Sequence, residues 1–178
     1  MNEVEAKILE IDVGKIRKKL KELGAELEYK ETQICRILDF DDKRLHKKDE
    51  VIRVRKIGNK VELTFKGATK KIGSVKSREE IETHVEDFET ILKIFEKLGL
   101  TPIRSYNKYR ESYKLGKITF ELDNFPSLPI PPFLEIEGSS KEEVEEMAEK
   151  MGFKKEELKS FSGLELLKHY KVDVKDIK

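Results

Sequence analysis

Tryptophan is absent from the 178 residues, cysteine and glutamine occur once each, and four of the five prolines crowd into 126–132. The lone Cys35 excludes an intramolecular disulfide and any zinc site built from several cysteines. It also fits a reducing, cytoplasmic compartment. No apolar run approaches the ~18 residues of a membrane-spanning helix. The opening MNEVEAKILE lacks the basic and apolar blocks of a secretion signal, so no membrane partner is expected. An excess of one charge sign is also lacking. The 37 basic and 36 acidic side chains leave a net charge of +1, which excludes a simple polybasic nucleic-acid binder and an acidic disordered tail. What abounds is charge of both signs, 41% of residues, beside 37% hydrophobic residues that suffice for a core. The Lys/Glu bias resembles that of hyperthermophile proteins, where ion pairs cost less desolvation. The length fits one domain, 1–178.

Periodicity orders the chain. Over residues 2–11, Val4, Ala6 and Ile8 alternate with Glu3, Glu5 and Lys7, the period of a strand with two unlike faces. Asp12 reads as a helix N-cap, with Ile16, Leu20 and Leu23 at helical spacing and Gly24 as the stop. Residues 28–41 look extended, and 51–57 and 61–66 form a hairpin across Gly58-Asn59. A Gly-bounded loop over 67–74 precedes an extended stretch, 75–85. Asp87 caps a second helix that ends at Gly99. Strands follow from Pro102 to Tyr113, over 118–125 and over 133–138. Ser139 or Ser140, with Glu143, opens a third helix to Met151, and one or two short helices occupy the tail, 155–178. About eight strands joined mostly by tight turns, with helices between, imply an α+β fold on an antiparallel sheet or closed barrel.

The charges fall on one parity of their strands: Glu3, Glu5 and Lys7; Arg53 and Arg55; Lys66; Arg78, Glu80 and Glu82; Lys108 and Arg110; Glu121 and Asp123; Glu135 and Glu137. Any one of these fits a sheet with one face in water. As a set they differ from such a face, because Thr, Ser, Asn and Gln are scarce on it and the two signs largely segregate by strand. Acids dominate the terminal strands and bases the middle ones, with Glu80 and Glu82 the exception. Carboxylates suit a hard divalent cation, and Lys and Arg suit phosphate oxygens. If the sheet closes, the charged face becomes a lumen.

These residues resemble a known family. Glu3-Val4-Glu5-Ala6-Lys7 is similar to the ExExK signature of the CYTH, or triphosphate tunnel metalloenzyme, superfamily. In the same order follow Ile52-Arg53-Val54-Arg55, Leu63-Thr64-Phe65-Lys66-Gly67, Arg78-Glu79-Glu80-Ile81-Glu82, Lys108-Tyr109-Arg110, Phe120-Glu121-Leu122-Asp123 and Leu134-Glu135-Ile136-Glu137-Gly138. The chain looks most like the class IV adenylyl cyclase group, with Phe161 where that group has Tyr.

The resemblance implies an eight-stranded antiparallel closed β-barrel, a triphosphate tunnel, with helices packed outside and the tail on or near the tunnel. It implies that Glu3, Glu5 and Glu137 hold Mg²⁺ or Mn²⁺, with Glu135 and Asp123 at a second ion. Lys7, Arg53, Arg55, Lys66, Lys108 and Arg110 would cradle the triphosphate, with Glu5, Lys7, Arg55 and Arg110 at the chemistry. Glu80, Glu82 and Glu121 would support them or hold metal, and Arg78 would support them. The implied reaction is ATP to cyclic AMP and pyrophosphate; the alternatives are hydrolysis of thiamine triphosphate or tripolyphosphate, or nucleotide binding without turnover. The expected partner is that small triphosphate rather than a nucleic acid, and the resemblance also implies a homodimer.

Three further features have plainer readings. Cys35 is expected as a small buried hydrophobe. His46, His84 and His169 show no ligand spacing. Lys70 and Lys71 read as a solvated loop or as a lid over the phosphates.

Overall fold

The computed structural model describes residues 2–172, with side chains from Val4 onward. Among the described residues are ten strands and five α-helices: β1 Asn2–Ile8, α1 Val13–Glu22, β2 Glu26–Phe40, α2 Arg44–Lys47, β3 Val51–Ile57, β4 Lys60–Lys66, β5 Lys70–Ile72, β6 Val75–Val85, α3 Phe88–Lys97, β7 Leu100–Leu115, β8 Ile118–Asn124, β9 Phe133–Gly138, α4 Lys141–Met151, β10 Leu158–Lys159 and α5 Gly163–His169. Eight of the strands close an antiparallel barrel in the order β1-β9-β8-β7-β2-β3-β4-β6, and a β1–β6 ladder joins its ends. The expected α+β barrel with outer helices is therefore the fold. β5 and β10 are additions on its rim.

Local chemistry explains the elements. Asp12, Asp87 and Ser140 each accept a hydrogen bond from the third residue of their helix, satisfying an orphan amide. Glu143 reaches back to the Ser139 amide at 2.8 Å. At the β3–β4 turn Gly58 takes φ +55°, a conformation that strains most side chains. Directly paired strand residues share a face, so the apolar parity turns outward under the helices. Val4, Ala6 and Ile8 meet Phe120, Leu134 and Ile136 beneath Ile16 and Leu20 of α1 and Val144 and Ala148 of α4. On the other flank, Leu38, Val54, Val61 and Leu100 pack against Phe88 of α3.

Three details differ from expectation. The first strand ends at Ile8, because Glu10 turns the chain with φ +56°. The 67–74 loop contains β5, which pairs Lys70, Lys71 and Ile72 with the start of β6. The short helix α2 follows β2 unannounced: Asp39 accepts amide hydrogens from Leu45 at 3.1 Å and His46 at 2.9 Å, which folds that turn. The tail does hold two short helices, a 3-10 turn over Lys155–Glu157 and α5, with the two-residue β10 added beside β1; residues 173–178 lie outside the described residues. No described helix is long and apolar enough to cross a membrane.

Candidate active site

The register places the charged parity inside. Glu5 faces Glu137 across β1–β9 and Lys76 across β1–β6. Lys7 faces Glu135, Glu121 faces Glu135, and Arg110 faces Asp123. Arg53 faces Thr64, Arg55 faces Glu62, and Lys66 faces Glu80. All of these side chains except Thr64 and Glu62 line one cavity of about 350 Å³. Glu5, Lys7, Arg55, Lys76, Lys108, Arg110, Asp123 and Glu135 are all less than a tenth exposed. So much buried charge is tolerated because opposite signs interleave; an unpaired ion there would cost several kcal/mol.

Three groupings emerge. In the first, carboxylate oxygens of Glu5, Glu135 and Glu137 all lie within 4.8 Å of one another, a spread that one cation could bridge. Three hard oxygen donors fit Mg²⁺ or Mn²⁺ rather than a thiophilic metal. Lys7 Nζ stands 2.7 Å from Glu5 Oε1 and also contacts Glu135, while Lys76 Nζ is 2.7 Å from the same Glu5 oxygen. Burial and Glu135 push the Glu5 carboxyl up, but Lys7, Lys76 and Lys66 overcome them and hold it at about 2. Burial also pushes Glu135 up, and Lys7 and Arg110 reverse that to leave it far below the usual carboxylate range.

In the second grouping Arg110 grips Asp123 with two parallel bonds of 2.6 and 2.7 Å and contacts Glu121, and Lys108 donates to Asp123 at 2.9 Å. Burial raises the Asp123 carboxyl, and Arg110 and Lys108 bring it down to about 2. Burial and the adjacent Arg110 pull the Lys108 ammonium down to about 8 despite Asp123. In the third, Arg55 Nε donates to Glu62 at 2.7 Å, Arg53 donates to Thr64 at 3.2 Å, and Lys66 contacts Glu80. Glu82 links Arg53, Arg55 and Thr64. Arg53 Nε is buried without a hydrogen-bond partner. A ring of guanidinium and ammonium groups beside a carboxylate triangle can bind a polyanion together with a metal.

Asp123 is engaged by Arg110 and Lys108 and stands outside the carboxylate triangle. Arg78 turns to backbone, donating to Gly67 O at 2.9 Å and Asp49 O at 3.1 Å, and so fastens the loop after β4. The Glu3 side chain lies outside the described residues; its backbone pairs with Arg78. Cys35 is buried, as expected, but on the inner face between Arg55 and Tyr106. Lys76, Glu62 and Arg104 were missed by the sequence reading although parity marked each: they follow the alternation of Arg78, Lys66 and Lys108. Phe125, Phe133, Leu164 and Leu166 also line the cavity. Periodicity did not place α5 there; only the family resemblance implied a tail on or near the tunnel.

Comparison with known proteins agrees with this architecture. The CYTH domain family matches residues 1–170. A Methanocaldococcus jannaschii protein named "Putative adenylate cyclase" is 36% identical over 78% of each chain. A solved Pyrococcus horikoshii protein is 30% identical with TM-score 0.72, covering 94% of this chain and 98% of its own. A Vibrio parahaemolyticus structure, 16% identical, shares the fold with TM-score 0.81 over 93% of this chain and 97% of its own.

Proposed function

The chain belongs to the CYTH domain family, and from that premise we propose that it is a divalent-metal-dependent enzyme acting on a triphosphate inside the barrel, in the manner of a class IV adenylyl cyclase. The carrying observation is the carboxylate triangle of Glu5, Glu135 and Glu137 beside inward-facing Arg53, Arg55, Lys66, Lys108 and Arg110 in one cavity. The triangle, with Glu3 by resemblance, holds Mg²⁺ or Mn²⁺, and Asp123 helps at a second ion. The bound cation supplies charge neutralisation and polarises phosphoryl oxygens.

The basic residues bind and orient the phosphates. Arg53, with its Nε unpartnered, offers a donor without first breaking a bond. Arg55 and Arg110, held by Glu62 and Asp123, present fixed forks to developing negative charge. Glu80, Glu82 and Glu121 position these groups, and Arg78 holds the loop that follows Lys66. In the cyclase reaction the ribose 3′-oxygen attacks the α-phosphorus and pyrophosphate leaves. Hydrolysis of thiamine triphosphate or tripolyphosphate uses the same residues, with water attacking a terminal phosphorus. The choice depends on which phosphorus faces the nucleophile.

The test is product identity after incubation with ATP, thiamine triphosphate and tripolyphosphate, each with Mg²⁺ or Mn²⁺. Cyclic AMP with equimolar pyrophosphate supports the cyclase, and inorganic phosphate supports a hydrolase. Metal-dependent binding without any turnover would reduce the protein to a polyphosphate binder.

A further inference from the structure

The cavity is not charged throughout. Ile37, Tyr106, Phe125, Phe133, Leu164 and Leu166 give part of it an apolar, aromatic wall. Tyr106 and Phe125 lie 5.6 Å apart with tilted rings, and Phe125 stacks on Phe133 at 6.1 Å. Inorganic tripolyphosphate has no apolar surface to bury there. Two polar groups break this wall, both from the inner parity of β7: the Arg104 guanidinium, opposite Ile37, and the Tyr106 hydroxyl, opposite Cys35.

Neither group makes a side-chain hydrogen bond or ion pair among the described residues, whereas Arg55 and Arg110 are each paired with carboxylates. Burial pushes the Arg104 guanidinium down, and Tyr106 and Asp39 only partly offset it. Burial pushes the Tyr106 hydroxyl up, which keeps it a donor. Two idle donors on an aromatic wall suit a flat ring that is apolar on its faces and carries acceptors on its edge. They suit a permanently cationic ring poorly, since Arg53 and Arg104 flank Ile37 from either side.

Resting on the triphosphate reading above, we infer that Arg104 and Tyr106 form a specificity subsite that receives the neutral heteroaromatic base of a nucleoside triphosphate. The subsite thereby favours nucleotides over thiamine triphosphate and inorganic tripolyphosphate. Neither residue touches the reacting phosphorus; their part is to select and orient the ligand.

Isothermal titration of the full chain with ATP, thiamine triphosphate and tripolyphosphate, with Ca²⁺ replacing Mg²⁺ to slow turnover, decides it. For Arg104→Met the ratio of ATP to tripolyphosphate affinity is expected to fall at least tenfold, and the preference for ATP over thiamine triphosphate to shrink. Tyr106→Phe should lower the first ratio about threefold. Arg53→Met, in the phosphate cradle, should weaken ATP and tripolyphosphate alike. If Arg104→Met does not fold, Arg104→Lys keeps the charge, lacks the planar fork and should show the same fall in ratio. Equal losses for ATP and tripolyphosphate in the Arg104 variants would make Arg104 a phosphate ligand and overturn the inference. So would an unaltered ATP affinity, or a wild type that binds ATP no tighter than tripolyphosphate. A wild type that binds ATP selectively yet turns over nothing would defeat the enzymatic reading while leaving this comparison decisive.

Discussion

Lys76 and Lys7 place their ammonium nitrogens on the same oxygen of Glu5, each at 2.7 Å. One buried carboxylate thus anchors two cations, and any metal held by Glu5 shares that oxygen with them. Lys76→Met should strengthen metal binding and weaken triphosphate binding by roughly tenfold, about 1.4 kcal/mol. Turnover measured against metal concentration and against triphosphate concentration separates the two effects. A fall in both affinities would show that Lys76 only props the fold.

Glu137→Gln removes one charge from the carboxylate triangle while keeping its shape. Turnover of any triphosphate should drop by about 100-fold or more, as in other metal sites that lose a ligand's charge or support. Mn²⁺ binding followed by electron paramagnetic resonance should weaken in step, with the melting temperature little changed.

Glu111 sits on the outer face of β7 and fastens α1 to the barrel. It takes Arg17 Nε at 3.0 Å and the Tyr113 hydroxyl at 2.9 Å, with Lys30 at 3.5 Å. Burial pushes its carboxyl up, but hydrogen bonds from Arg17 and Tyr113 and the charges of Arg17 and Lys30 hold it at about 2, below the ordinary 4.5. The folded value lies below the unfolded one, so its stabilisation is complete above about pH 4.5 and is lost as pH falls toward 2. The loss is on the order of 2 kcal/mol. Urea midpoints from pH 6 to pH 2.5 should show this slope in wild type, and Glu111→Gln should flatten it.

Glu165 does two jobs for α5, closing a capping box with Ser162 at 2.8 Å and contacting Lys71 of β5. Glu165→Ala should loosen α5 by about 1 kcal/mol, mostly through the lost cap. Lys71→Ala should cost less, because a surface ion pair contributes little. Amide hydrogen exchange over 163–169 measures both, and equal protection loss in the two variants would assign the anchoring to Lys71.

Gly138 ends β9 where α4 crosses close by. A β-carbon there would lie 3.0 Å from Ile118 Cδ1 and 3.2 Å from Val144 Cγ2. Gly138→Ala should therefore destabilise the protein by about 1–3 kcal/mol, as overpacking does. Thermal unfolding checks this, and a neutral result would mean that α4 can shift outward.

Much of this was legible along the chain because strand alternation and helix caps are local. Asp12, Asp87 and Ser140 announced their helices, and Glu5, Arg55 and Arg110 announced a charged face before any partner was known. Lys76, Glu62 and Arg104 obeyed the same parity and were legible in principle. Asp39 was not: its role in folding α2 depends on amides up to seven residues away turning back onto one carboxylate.

The sequence by itself determined which residues share a strand face, where helices begin, and that acids and bases alternate with apolar residues, since each depends on periods of two or 3.6 residues. Only the tertiary structure decided that β1 pairs with β6 to close the sheet, which turns a polar face into a lumen. It alone brought Glu5 beside Glu135 and Glu137, more than a hundred residues away, and carried Leu164 and Leu166 of α5 to the cavity wall. Such meetings depend on barrel closure and on which apolar faces bury one another, and periodicity along one strand carries no information about either.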